Sequence, residues 1–160
     1  MNPYIGDNEF PELFPEDFKE NILPVDAKPE ELTVYRLALN GVINTEAFLS
    51  TYEYCIINKK MTLRDINKEY GLSNPSTYST SCYEKYKDVK NACKCLKKHY
   101  PPIITITGTT TLSSGVLQRT KERTGEGKSH VDWWIYKNQD VSGNFEECVE
   151  EDVDERSENT

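Results

Sequence analysis

The sequence predicts an α+β protein, with a helical middle packed on a small antiparallel sheet in the C-terminal part. Three observations lead there. Apolar residues recur at helical spacing between positions 44 and 99. β-Branched runs broken by turn residues fill positions 103–136. Acidic residues crowd the two ends, with prolines among them at the N-terminal one, which argues against regular structure there.

The first element is an arm. Residues 1–31 hold Pro3, Pro11, Pro15, Pro24 and Pro29, interleaved with Tyr4, Phe10, Phe14 and Phe18. Proline removes backbone donors and blocks long helices. The expectation is an extended arm that docks its aromatics on the body, with a short helix around residues 16–21. "TVYRLAL" (33–39) reads as a strand, and "NGVI" turns the chain. Asn44 is placed to cap a helix running to about Cys55, with Phe48, Tyr52 and Cys55 on one stripe. Thr62 starts a second helix, with Asp65 completing its cap, Leu63, Ile66 and Tyr70 as its stripe and Gly71 as its stop. "SNPST" is a loop. A third helix is expected over 83–99, with Tyr86, Val89, Cys93 and Leu96 inward and Lys85, Lys87, Lys90, Lys94, Lys97 and Lys98 around the rest; Pro101 and Pro102 end it. "IITITGTTTL", "GVLQRT" and "HVDWWIYK" then read as strands, and "KERTGEGKS" as a polar loop.

Charge divides the chain as the elements do. Residues 1–31 carry nine acidic residues against two lysines, and residues 146–160 carry eight against one arginine, so each end holds a net −7. With −8 overall, the body over 32–145 carries +6. The organisation expected is an acidic arm (1–31), one domain (32–145) and an acidic disordered tail (146–160). An acidic arm beside a basic body either solvates the protein or screens a basic face from a partner.

Several classes are disfavoured by the residues alone. No apolar run approaches the roughly 20 residues of a membrane span. "MNPYIGDNEF" has neither the basic nor the apolar region of a secretion signal. The five cysteines are odd in number and form no CxxC, which suits reduced thiols in a cytoplasm. Cys93 and Cys95 point apart on a helix, and the two histidines are distant in sequence, so no metal is expected. Nucleophilic catalysis needs a base beside the nucleophile. Only folding could bring His130 to Cys82.

"HVDWWIYK" carries the richest chemistry. As a strand it sends Val131, Trp133 and Ile135 to one face and His130, Asp132, Trp134 and Tyr136 to the other. The first set belongs in a core. The second offers a titratable ring, a carboxylate and two aromatic platforms, a face able to stack a base or a nicotinamide ring. Alternatively it is a second sheet face, with Asp132 paired to a neighbouring lysine or arginine.

Two resemblances bear on function. "LRDINKEYGLSNPSTYSTS" resembles a helix-turn-helix segment, which implies a DNA-binding regulator. Independently of it, the lysine-rich helix that comes next, Lys87, Lys90 and Lys94 included, has the charge and reach to grip the phosphates of a nucleic acid. The order of "VYR" at Arg36, "YSTS" at Ser79, Thr80 and Ser81, and "HVDWW" at Asp132 is similar to that of ADP-ribosyltransferases. That resemblance implies an NAD-using enzyme. In it Arg36 would contact the dinucleotide phosphates, Ser79–Ser81 would form a strand that supports the nicotinamide pocket, Asp132 (with His130 before it) would hold the ribose, and Trp134 or Tyr136 would stack on the nicotinamide. The leading expectation is a non-catalytic protein that binds another macromolecule, a protein partner before a nucleic acid, with no cofactor. In composition the chain resembles small accessory proteins of phage and mobile elements that inhibit or adjust host systems.

Overall fold

The structure, a computed structural model, describes residues 1–149. Its frame is one six-stranded sheet. The strands are β1 (Thr33–Ala38), β2 (Thr80–Tyr83), β3 (Ile104–Thr109), β4 (Gly115–Arg119), β5 (His130–Ile135) and β6 (Phe145–Glu147), in the order β4-β5-β2-β1-β3-β6. Every neighbouring pair is antiparallel. The α-helices are α1 (Thr51–Ile57), α2 (Leu63–Glu69), α3 (Tyr86–Leu96) and α4 (Thr120–Thr124). The protein is therefore α+β, but the sheet is not confined to the C-terminal part. β1 pairs with β3 along all six of its residues, and β2 lies between β5 and β1. Composition does not mark β2; only the resemblance to ADP-ribosyltransferases implies a strand at Ser79–Ser81, and β2 starts one residue later, at Thr80. In place, those polar side chains and carbonyls are satisfied by neighbours: Ser79 by Asp132, Thr80 by the Phe48 carbonyl, and the Ser81 carbonyl by Arg36.

The helical middle is more broken than its periodicity suggests. Asn44 does cap a helix, but a 3-10 one, Thr45–Phe48. Leu49 and Ser50 are extended, and Ser50 then opens α1 with a capping box to Glu53. α2 has the expected bounds: the Thr62 hydroxyl accepts from Asp65 N at 3.2 Å, and Gly71 ends the segment at φ +90°. Beyond Gly71 the helix-turn-helix resemblance fails. The chain makes a 3-10 turn, Pro75–Tyr78, and then strand β2, so no second helix enters there. α3 starts three residues later than expected because Tyr83 is held in β2 opposite His130. The "KERTGEGKS" loop contains most of α4.

Both sheet faces are covered. One carries Val34, Ala38, Phe48, Cys82, Ile106, Leu117, Val131, Trp133, Val141 and Phe145. Gly108 makes room for it: a Cβ there would lie 2.6 Å from the Phe145 ring. The other face receives the N-terminal arm. Phe10, Phe14 and Phe18 are buried with Tyr52, Tyr78, Trp134 and Tyr136, and Phe14 and Phe18 each set their rings 5.3 Å from Tyr78. A π-helical turn, Phe18–Ile22, carries the last of these rings, while Tyr4 stays exposed. Further along, Lys28 pairs with Leu117 and covers the outer edge of β4, the open side of the sheet.

At the other end, Glu146 and Glu147 of the expected tail belong to β6, and residues 150–160 of it lie outside the described residues. Among the described residues no helix is long and apolar enough to cross a membrane.

Because Phe18 is only 2 % exposed inside this aromatic cluster, Phe18→Ala is expected to cost about 3–5 kcal/mol of stability. Urea unfolding checks this as a lower midpoint at an unchanged slope. A loss below about 1 kcal/mol would mean that the arm is an appendage and not core.

Candidate functional site

The polar residues singled out on β5 gather around one buried carboxylate. Asp132 faces Ser81 across one ladder and Gln118 across the other. Just past β4, α4 folds back over β5 and brings Thr120 and Arg123, three residues apart, to the same side. The Pro75–Tyr78 turn delivers Ser76, and the chain leaving it delivers Ser79. The Asp132 side chain is 0 % exposed. Its Oδ1 accepts from Ser79 Oγ at 2.5 Å; its Oδ2 accepts from Ser76 Oγ at 3.1 Å, Thr120 Oγ1 at 2.8 Å and Arg123 at 2.9 Å. Arg123 also donates to Ser76 Oγ and to the Gln118 amide oxygen, and Gln118 in turn donates to Asp26 of the arm at 2.7 Å.

His130 completes the group. Its Nδ1 lies 2.5 Å from Thr120 Oγ1. The single Thr120 proton goes to Asp132, so Nδ1 is assigned as the protonated nitrogen, donating to Thr120. Burial lowers the His130 pKa against the pull of Asp132, with Arg123 and Arg36 adding to the lowering. For Asp132, burial alone would push the carboxyl up. The Ser79 hydrogen bond, the charge of His130 and the bonds from Arg123 and Thr120 outweigh it and hold the carboxyl below the usual range. A buried carboxylate with four donors ties β2, β5, α4 and the Pro75–Tyr78 turn together. It offers little to a substrate.

The other candidates fall into place around it. Arg36, Ser81 and Asp132 sit on the adjacent strands β1, β2 and β5, so folding does bring the three motifs of the ADP-ribosyltransferase order side by side. They do not line one cleft. Arg36 and Ser81 line a cleft of about 310 Å³ that Ser79, Thr80, His130 and Asp132 do not reach. Ser79 and Thr80 are buried. Trp134 and Tyr136 are no open platforms: Trp134 is buried and donates from its ring to the Pro75 carbonyl, and Tyr136 lies 5.3 Å from Phe10 of the arm. Cys82 packs in the core of the opposite face, and burial pushes its thiol up to about 12, so it makes no pair with His130. Among the described residues no cluster of His, Cys, Asp and Glu could hold a metal ion.

The second concavity is a groove of about 1110 Å³ where β2 leads into α3 and β4 leads into α4. Lys85, Lys87, Lys121, Lys128 and Arg119 line it, with Tyr35 and Tyr86 in its wall and Glu84, Asp88 and Glu122 among the cations. Arg119 is held by Glu30 at 2.9 Å and Glu84 at 3.1 Å. Asp88 is occupied by the backbone N–H and hydroxyl of Ser129. Of the helix lysines named from sequence, Lys87 lines the groove, Lys90 stands 6.0 Å over the Tyr86 ring, and Lys94 is exposed outside the lining. Sequence reasoning missed Ser76, Thr120, Arg123, Lys121 and Lys128. The signal for Thr120, Lys121 and Arg123 was the short helical run "TKERT", whose i, i+3 spacing sets Thr120 and Arg123 on one side.

Acid should loosen this site in two steps. The unfolded chain protonates a histidine at about 6.5, whereas folded His130 resists the proton, so stability falls as pH drops below that value. Asp132 is held ionised in the fold, so its contribution is present above about 3.9 and is lost as pH falls further, through its lowered folded value. His130→Gln should flatten the first step and Asp132→Asn the second, with Asp132→Asn also costing about 3 kcal/mol at neutral pH. Chemical denaturation across pH 3–8 checks both, and unchanged profiles would remove the assignment. No protein-family model, no curated protein and no solved structure matches the chain.

Proposed function

We propose that this chain is a non-catalytic binding protein that engages another protein through the lysine groove beside α3, and that in doing so it inhibits or adjusts a host system, as accessory proteins of phage and mobile elements do. One contrast carries the reading. The groups with chemical capacity, Asp132, His130 and Cys82, are committed to the frame, while four lysines converge on an open groove in a chain of net charge −8. Concentrated positive charge on an acidic protein favours an oriented, charge-guided encounter. The three carboxylates interspersed in the groove would repel a phosphate backbone, but they match a protein surface that bears both signs.

The Lys121→Glu, Lys128→Glu double variant is expected to fold normally and to bind the partner captured from the native host at least about tenfold more weakly, with most of the loss in the association rate. Calorimetry and stopped-flow mixing against the purified partner measure this; equal affinity would sink the groove. A steep salt-dependent shift of nucleic acid, lost in the same variant, would support the basic-helix reading instead.

The enzyme alternative retains one favourable observation, the adjacency of Arg36, Ser81 and Asp132 on neighbouring strands. With Trp134 covered and Asp132 sealed, titration with NAD is expected to leave tryptophan fluorescence unquenched. Saturable quenching that Asp132→Ala abolishes would overturn the non-catalytic reading.

A further inference from the structure

The cleft beside Arg36 exists because the sheet is split there. β1 and β2 share only the pair Tyr35↔Tyr83. Continued register would set Leu37 opposite Ser81. Instead the segment 47–51 wedges in against β2: Thr51 N donates to the Ser79 carbonyl, and Thr80 Oγ1 donates to the Phe48 carbonyl. Arg36 fills what remains of the gap. Its Nε donates to the Ala47 carbonyl at 2.8 Å, and its two terminal nitrogens donate to the Ser81 carbonyl at 2.6 Å and the Leu49 carbonyl at 3.1 Å.

This arrangement leaves a cation without an anion. All three acceptors are neutral carbonyls, and no carboxylate stands within ion-pair distance of Arg36 among the described residues. Of the five guanidinium N–H groups three are committed to carbonyls, which leaves one on each terminal nitrogen available to an acceptor. Around it Leu37, Leu49, Leu96, Tyr54, Tyr83 and Tyr100 give the cleft apolar and aromatic walls, and the exposed Lys59 is a second cation in the lining. Its volume of about 310 Å³ lies at the small end of ligand pockets, about 300–1,000 Å³. Glu46, the one carboxylate in the lining, is exposed and not paired with Arg36.

We propose that this cleft binds a small monocarboxylate with an apolar body, its carboxylate on Arg36 and its body against the leucines and tyrosines. With Arg36 and the exposed Lys59 set against Glu46, the lining carries a net +1, which suits one negative charge better than a phosphate dianion. The site is separate from the lysine groove, so its test and that of the partner surface fail independently.

The experiment is calorimetric titration and thermal unfolding of the full chain with phenylacetate, with 3-methylbutanoate as an aliphatic carboxylate and phenylacetamide as a neutral isostere. Phenylacetate should bind saturably and raise the melting temperature with its concentration. The amide should bind about tenfold or more weakly, having lost the charge-assisted pair. Arg36→Gln should lose the preference for the acid over the amide. Because Arg36 also holds three carbonyls and its variant is at risk of unfolding, Ala92→Trp, which fills the cleft from α3 and keeps Arg36 in the chain, should abolish binding while far-ultraviolet circular dichroism stays unchanged. No saturable binding of either carboxylate to the wild type would overturn the proposal. So would equal binding of acid and amide, or binding that survives in folded Ala92→Trp.

Discussion

The rest of the structure hangs on the burial of one charge. A carboxylate at 0 % exposure is tolerated only when its oxygens are fully engaged, and the donors to Asp132 come from segments far apart in sequence: Ser76 and Ser79 before β2, Thr120 and Arg123 on α4. To collect them the chain must set β2 beside β5 and fold α4 back over β5. That requirement explains why a four-residue, hydroxyl-rich strand sits near the centre of a six-stranded sheet. The hydroxyls leading into it are the ligands of the carboxylate, so a conventional apolar segment could not replace it. Through Gln118 and Asp26 the same network reaches the N-terminal arm.

The arm then meets the second demand of that face. Beyond Asp132, β5 and the residue after it present Trp134 and Tyr136, two large rings with Val116 of β4 beside them on the sheet. Phe10, Phe14 and Phe18 cover them, together with Tyr52 and Tyr78. Each aromatic side chain buries roughly 150–250 Å², so the arm is a layer of the core in spite of its prolines and its net −7. The prolines fit the task. They keep the arm extended and hold its backbone in turns, so that successive phenylalanines reach the same patch.

How far the sequence disclosed this depends on the range of the interaction involved. Local patterns were legible. The cap at Thr62, the stop at Gly71, the strand at 33–38 and the split of β5 into Val131 and Trp133 against Asp132 and Trp134 all derive from spacing over a few residues. The second face of β5 shows where such reading ends. Its composition fits an open recognition surface and a covered one equally well, and the difference is made by Phe10, far away in the chain. The pairing of Asp132 with a neighbouring cation was one of the two readings open to the sequence; that the cation is Arg123 depended on seeing a five-residue helix inside a run of charged and glycine residues. Composition did not mark β2, for the reason that makes it useful: serine and threonine signal loops until a buried acceptor stands opposite them.

The two concavities share α3. Lys87, Asp88 and Asn91 line the groove, and Ala92 and Leu96 line the cleft. Proximity alone does not couple them. A ligand in one shifts affinity at the other only by favouring one of two arrangements of the helix. The first turn of α3 is pinned, with Asp88 holding both the N–H and the hydroxyl of Ser129 and Val89 buried against Tyr35. An occupant of the cleft meets the helix a turn or more later, at Ala92 and Leu96. Lys85 and Lys87 of the groove therefore hang from the fixed end, and the cleft opens at the other. Two sites placed so on one short helix bind as separate sites unless the Asp88–Ser129 pin itself gives way.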